Sequence, residues 1–273
     1  MVHFTKLHGN GNDFILIYEY NDKVIADNEK AAFALKYCDR RFAIGADGVL
    51  YLGKSEKANI KMQIYNSDGT QAEMCGNGVR CLVKYALDEG YIEEKASVET
   101  LAGILTISSR IEDKIWIKVN MGKPQFERAK IPANGTGEFI NVEMHGYKVS
   151  AVNTGVPHAV IFVDSLDEPG LMQIAPNIRY DPIFPKGTNV NFVKLNSSHE
   201  ITIRTYERGV EGETLSCGTG SVACAVVAHR LGKTGNNVKV NTKGGELRIT
   251  ITQDAAYMEG TAERVFDGKV TVL

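Results

Sequence analysis

No apolar run in this chain comes near the ~20 residues that cross a bilayer as a helix; the longest strongly apolar stretch is Val222 to Ala228. The opening residues, MVHFTKLHGNGNDF, lack the apolar core of a signal peptide, and a cytoplasmic protein with no membrane partner is expected. Neither sign of charge dominates. With 31 Lys and Arg against 33 Asp and Glu, the net charge of −2 gives no electrostatic footprint for nucleic acid or an anionic surface. Cysteines number five, and an odd count argues against a disulfide framework and fits a reducing compartment. There is no C-x-x-C pair and no close pair of histidines, so no metal is expected. No Walker lysine and no G-x-G-x-x-G following a strand marks a phosphate cradle. No lysine stands out as a Schiff-base residue, and no cofactor is expected.

What the chain does contain is itself, twice. CGNG begins at Cys75 and CGTG at Cys217, 142 positions on. Val98-Glu99-Thr100-Leu101-Ala102-Gly103 is echoed by Val240-Asn241-Thr242-Lys243-Gly244-Gly245 at the same offset, as Gly45 is by Gly187. Tyr65-Asn66 matches Tyr206-Glu207 at an offset of 141. Gly9 and Gly155 each precede an apolar strand, which would set Asn12 opposite His158. A shared offset over several motifs is the mark of duplication. Each half has the same local grammar. β-branched and alternating runs such as Ile201 to Tyr206 read as strands, separated by Gly, Asn and Asp turns. One helix follows each CGxG motif. In the first half Val79, Leu82, Val83, Ala86 and Leu87 recur at helical spacing, with Gly90 as the stop. In the second, Val222 to Ala228 is apolar on every face, which predicts a buried helix, ended by Gly232. The expected fold is α+β, with two pseudo-symmetric duplicated domains of strands wrapped around a central helix and an active site in the cleft between them. Their bounds are residues 1–120 and 121–262, with residues 263–273 returning to the first. Residues 123–146, rich in Pro and Gly, read as the connection.

The repeat singles out two cysteines. Cys75 and Cys217 each stand just before a helix, where unpaired backbone N–H groups and the helix dipole favour negative charge. That setting lowers a thiol's pKa and supplies a reactive thiolate. Cys38, Cys81 and Cys224 lie in apolar or helical stretches and read as small buried hydrophobes. Two matched thiols suit one chemistry in particular. Inverting an amino-acid α-carbon requires removing a proton from one face and returning one to the other. A thiolate base and a thiol acid do this without an electron sink, and their roles reverse with direction.

The motifs resemble those of the diaminopimelate epimerase family, nearly from end to end. HGNGNDF (His8 to Phe14), NSDGTQAEMCGNGVRC (Asn66 to Cys81), TGVPHAV (Thr154 to Val160), GTNVNFV (Gly187 to Val193) and RTYERGVEGETLSCGTG (Arg204 to Gly220) follow in the family's order. The resemblance implies conversion of LL-2,6-diaminopimelate to the meso form, a step toward lysine and peptidoglycan, by a pyridoxal-phosphate-independent isomerase. It implies Cys75 and Cys217 as proton-transfer residues and associates His158 and Glu207 with the catalytic site. Asn12, Asn66, Asn189, Glu207 and Arg208 would contact substrate, together with Gly76-Asn77 and Gly218-Thr219. Arg208 can hold a carboxylate bidentately, and asparagine offers both donor and acceptor. Taken singly, Asn beside Gly is a turn residue, a Glu-Arg pair is a solvated ion pair, and His158 terminates a loop. His3, His8, His145, His199 and His229 stay structural. Two positions depart from the family pattern. Val156 stands where many members have Asn, with Asn153 as a candidate replacement, and Gly48 stands where some have Gln. A proline or hydroxyproline racemase of the same fold and a non-catalytic amino-acid-binding protein are the alternatives. A homodimer is compatible with the sequence.

Overall fold

The computed structural model describes residues 1–271, so the last two residues of the expected returning strand lie outside the described residues. The chain divides into two compact units, Met1–Val119 with Gly260–Leu273, and Asn120–Glu259. Strands and helices are numbered along the chain.

In the first unit, β1 (Val2–Gly9) and β2 (Asn12–Glu19) form a hairpin, and β2 runs parallel to β3 (Gly48–Gly53). Parallel partners need a crossover connection, and here it carries α1 (Lys30–Tyr37). From β3 the sheet continues antiparallel to β4 (Ile60–Asn66), which also pairs with the short β5 (Gln71–Ala72). A second crossover, through α2 (Gly76–Asp88), returns the chain to β6 (Lys95–Thr100) parallel to β4. The meander β6, β7 (Gly103–Ile111), β8 (Ile115–Asn120) completes the series. The other edge of β1 is taken by the last strand of the chain, β18 (Glu263–Val270).

The second unit repeats this order of pairings. β10 (Tyr147–Asn153) and β11 (Pro157–Phe162) form the hairpin, with β9 (Val142–Met144) on the outer edge of β10. β11 lies parallel to β12 (Asn189–Ser197) across α3 (Leu171–Arg179). β12 pairs with β13 (Glu200–Glu207), and β13 with β14 (Gly212–Thr214). The crossover α4 (Gly218–Arg230) leads to β15 (Asn237–Thr242), parallel to β13 and followed by β16 (Gly245–Ile251) and β17 (Ala256–Thr261).

In each unit the second crossover helix is the centre of the core. Val79, Leu82, Val83 and Ala86 of α2 are fully buried, and α2 packs on β1, β2, β3, β4 and β18. Helix α4 is buried from Gly220 through Ala228, with Val222, Val226 and Val227 set among Val152, Val160, Val193, Ile203, Val240 and Met258. Burying a side chain of this size stabilises by about 1.5–3 kcal/mol each, which is why a helix apolar on all faces is stable here. Gly90 and Gly232 follow the two helices with φ of 73° and 68°, the left-handed conformation that ends a helix at little cost to glycine alone.

Two readings of the sequence need correction. Residues 123–146 are not a bare connection. Ile131 and Phe139 are fully buried in a second core beneath α3, Gln125 bridges to Asn153, and β9 extends the sheet. Apolar residues spaced between prolines and glycines leave no periodicity to read, yet they bury well. Nor does Asn12 correspond to His158. Val49 faces Tyr65 and Val190 faces Tyr206, so the matched tyrosines make Gly48 the counterpart of Asn189. Phe14 pairs with Gly48 and His158 with Asn189, so His158 corresponds to Phe14 and Asn12 to Val156. The glycines misled because Gly9 ends a strand, whereas Gly155 sits in a loop one residue longer, with φ of 109°.

Candidate active site

Each CGxG motif forms the mouth of its unit's central helix. Cys75 (φ −142°, ψ 120°) and Cys217 (φ −117°, ψ 113°) are extended N-cap residues, and their carbonyls accept the first helical bonds, from Val79 N–H (2.8 Å) and Ser221 N–H (2.9 Å). The N–H groups of Gly76-Asn77 and Gly218-Thr219 occupy the first helical positions. They are among the donors a helix leaves without intrahelical partners, at its positive end. The third glycine-rich position is steric. A Cβ on Gly220 would lie 2.7 Å from Asn191 Oδ1 and 3.2 Å from Cys217 Cβ, and one on Gly78 would lie 3.1 Å from Leu50 Cδ2. Only glycine lets the first turn approach the strand beneath it this closely.

Around Cys75 the first unit gathers Asn12 and Asn77. Cys75 Sγ lies 3.6 Å from Asn12 Oδ1, which also accepts from Asn77 Nδ2 at 3.2 Å. Asp47 Oδ2 holds the other end of Asn12, accepting from Nδ2 at 2.6 Å. Asn77 is in turn fixed by Arg80, whose Nη2 donates to Asn77 Oδ1 (2.8 Å) and Asn10 Oδ1 (2.7 Å). Arg80 is fully buried, and burial pulls its pKa down to about 10. Asp13, ion-paired to Lys6 and Arg40, ties Arg40 and hence Asp47 to the same corner. Burial pushes the Asp13 carboxyl up, but its Arg40 and Lys6 partners outweigh that and hold it at about 2. Asn66 does not join this group through a hydrogen bond to Cys75, Asn12 or Asn77. It is exposed at the end of β4, and its side chain donates to Thr70 Oγ1 at 3.0 Å.

The second unit builds a different support under Cys217. Thr219 Oγ1 lies 3.4 Å from Cys217 Sγ and 2.9 Å from His158 Nε2. His158 is fully buried, and its Nδ1 is 3.1 Å from Asn191 Nδ2. Burial first, and the positive charge of Arg208 second, lower the His158 pKa to about 3, so the ring is neutral at physiological pH. Asn189 and Arg208 come together: Arg208 N–H donates to Asn189 Oδ1 (2.8 Å) while Asn189 Nδ2 donates to the Pro157 carbonyl (3.0 Å). One side chain therefore ties the start of β11 to the turn after β13. The Arg208 guanidinium donates to the Lys186 carbonyl at 3.1 Å, and Glu207 ends β13 with its carbonyl accepting from Glu211 N–H.

The remaining cysteines behave as the sequence suggests. Burial pushes the Cys38 thiol up to about 12 and likewise raises Cys81 and Cys224 well above the ordinary thiol value, leaving all three protonated. The two departures have local causes. A Cβ at Gly48 would stand 2.7 Å from the Tyr65 carbonyl oxygen, so this backbone admits no glutamine there. Asn153, the candidate replacement for the missing amide at Val156, has both ends of its side chain engaged with backbone. Its Nδ2 donates to the Lys130 carbonyl (2.7 Å), 23 residues earlier in the chain, and its Oδ1 accepts from Gly155 N–H (2.9 Å) in the adjoining loop.

Sequence reasoning missed Asp47, Arg80 and Asn191. Asn191 left a signal, since in Asn189-Val190-Asn191-Phe192-Val193 a polar residue interrupts a strand that is buried on both faces. Arg80 left one too, as a charge beside the buried helical stripe of Val79, Leu82 and Val83. Both are 0% exposed, and a buried polar group needs partners, which the neighbouring site residues provide.

Set against known proteins, this architecture first defines a class. A phenazine biosynthesis protein of the PhzF family from Bacillus anthracis matches with a TM-score of 0.75 at 17% identity, covering 99% of each chain. A probable proline racemase from Agrobacterium radiobacter matches with a TM-score of 0.71 at 16% identity, covering 100% of this chain and 93% of that one. The duplicated α+β fold is the one these proteins share. Within it, this chain belongs to the diaminopimelate epimerase family, whose model matches residues 4–127 and 150–265. The diaminopimelate epimerase of Methanocella arvoryzae is 58% identical over 274 residues, covering 99% of this chain and 97% of that relative.

Proposed function

We propose that this protein interconverts LL-2,6-diaminopimelate and meso-2,6-diaminopimelate by two-base proton transfer between Cys75 and Cys217, without a cofactor. The observation that carries the reading is the repetition of one arrangement: a thiol at the N-cap of the central helix of each unit. A binding protein has no use for a reactive thiol in each repeat, whereas inversion of a carbon requires two.

In the forward direction one sulfur, as thiolate, takes the α-hydrogen as a proton, and the electron pair stays on the substrate carbon, delocalised into its carboxylate. The other sulfur, as thiol, gives its proton to the opposite face. One S–H bond and one C–H bond form as one C–H and one S–H bond break, so the two sulfurs exchange protonation states and the reverse reaction starts from the product state. Helix-mouth N–H groups of Gly76-Asn77 and Gly218-Thr219 stabilise the charge that grows on the reacting carboxylate. At these helix mouths the Asn77 side chain is held by Arg80 in one unit and the Thr219 side chain by His158 in the other. Arg208 takes the distal carboxylate, and Glu207 accepts from a substrate ammonium. Asn12, Asn66 and Asn189 complete the polar contacts, Asn189 from a side chain already fixed by Pro157 and Arg208. His158 and Glu207 tune the thiols. A cytoplasmic setting agrees with reduced cysteines, and no helix among the described residues is long and apolar enough to cross a membrane. A homodimer is the proposed assembly.

The test is direct. Purified protein without pyridoxal phosphate should convert LL-diaminopimelate to the meso form and leave L-proline unexchanged in deuterated water. Exchange with proline alone would instead make it a racemase of cyclic amino acids, and no exchange with either would make it a binding protein.

A further inference from the structure

The polar chain beneath Cys217 fixes where its hydrogens lie. Asn191 Nδ2 is 2.9 Å from the Ala159 carbonyl oxygen, and Asn191 Oδ1 accepts from Thr205 Oγ1 at 3.0 Å. A carbonyl can only accept, so the amide nitrogen must face Ala159, and the same nitrogen faces His158 Nδ1 at 3.1 Å. His158 Nδ1 is therefore an acceptor. A neutral imidazole then carries its hydrogen on Nε2, which points at Thr219 Oγ1, 2.9 Å away. Thr219 Oγ1 receives that bond, and its own hydrogen is left to turn toward Cys217 Sγ at 3.4 Å. Asn191 and His158 are fully buried, so no bulk water competes for their side chains, while Thr219 is half-buried.

We propose that Asn191 is a positioning residue for the reaction: by holding His158 in its Nε2–H form, it turns the Thr219 hydroxyl into a hydrogen-bond donor to the sulfur of Cys217. This rests on the reading of Cys217 as a proton-transfer residue. A donor aimed at sulfur stabilises the thiolate over the thiol, so Asn191 favours the base form of Cys217 without touching it. In the first unit Cys75 Sγ lies 3.6 Å from a group of a different kind, the side-chain carbonyl oxygen of Asn12. Leu50 occupies the strand position that corresponds to Asn191. The groups facing His158 are Arg208, through space, and the neutral Asn191 and Thr219. Position 219 is thus given a job for its side chain in addition to its backbone N–H.

Two measurements on the full chain test this without relying on turnover. Nitrogen NMR of protein labelled in histidine should show His158 with a bare Nδ1 and a protonated Nε2. Asn191→Asp, of the same shape but accepting only when ionised, should move a proton onto Nδ1. A wild-type ring protonated on Nδ1, or a variant with Nδ1 still bare, would overturn the proposal. The second measurement follows alkylation by iodoacetamide against pH, mapped separately at Cys75 and Cys217. Thr219→Val should raise the pH midpoint at Cys217 by about one pH unit, a tenfold slower reaction below the midpoint. Thr219→Ser should restore the wild-type midpoint, and Cys75 should not move in either variant. An unchanged Cys217 midpoint in Thr219→Val would refute the relay even if the wild type proves an efficient epimerase. Absence of epimerisation by the wild type, with both shifts present, would instead refute only the functional reading.

Discussion

Burying a neutral imidazole beneath the mouth of α4 ties the stability of the protein to pH. The His158 pKa is lowered from an ordinary 6.5 to about 3 by burial and by Arg208. Between those values the unfolded chain binds a proton that the folded protein refuses, so stability falls as the pH drops below 6.5. The slope is about 1.4 kcal/mol per pH unit per proton. At pH 5 the ring has crossed one and a half units of that window, and the loss is about 2 kcal/mol relative to pH 8. Carboxylates such as Asp13, held at about 2, contribute their own acid sensitivity only below their unfolded pKa near 3.8. The perturbation is His158→Gln, which cannot titrate. Urea unfolding at pH 8 and pH 5 measures the effect, followed by circular dichroism because the single tryptophan, Trp116, reports from the first unit. The wild type should lose about 2 kcal/mol more than the variant between the two pH values. Equal losses would mean that His158 is protonated in the folded protein at pH 5, and the argument from burial would fail.

Other substitutions probe the chemistry and the packing. Cys75→Ala and Cys217→Ala should each abolish epimerisation while circular dichroism stays native, and near wild-type kcat in either variant would remove the two-base scheme. Arg208→Met should lose the distal ion pair at about 2–5 kcal/mol in kcat/KM if that pair is dry. It should also discriminate far less between diaminopimelate and lysine; retained preference would reassign the distal clamp. Gly220→Ala forces a Cβ to 2.7 Å from Asn191 Oδ1 and should cost about 1–3 kcal/mol in stability together with activity. An unchanged Tm would show that the first turn of α4 is looser than its contacts imply.

Much of this was legible in the sequence because duplication converts single motifs into pairs. Two CGxG motifs at one offset located both helix mouths, and the all-apolar run Val222 to Ala228 declared its own burial. The matched tyrosines Tyr65 and Tyr206 fall at equivalent places in the two sheets, since Ile60 and Ile201 on the same strands pair with the matched Val98 and Val240. What stayed hidden is what depends on register and on contacts across strands. A one-residue difference between two hairpin loops displaced the expected match of Asn12, and no pattern of glycines could reveal it. Helices α1 and α3 are short, at eight and nine residues, and α3 carries Pro176 inside it, so neither stood out as a helix in the sequence. The pairings of Asp47 with Asn12 and of Asn191 with His158 join residues about 35 positions apart, visible only when neighbouring strands lie side by side.

The central claim is that two sulfurs divide the work of one inversion, and isotope placement tests it most directly. LL-diaminopimelate is incubated with the protein in deuterated water, without pyridoxal phosphate, and both isomers are separated and weighed by mass spectrometry at low conversion. If one thiolate removes the proton and a different, solvent-equilibrated thiol replaces it, newly formed meso-diaminopimelate carries one deuterium while the remaining LL pool carries none. Deuterium entering the LL pool as fast as the meso pool would mean a single base serves both faces, and the two-thiol account would be wrong.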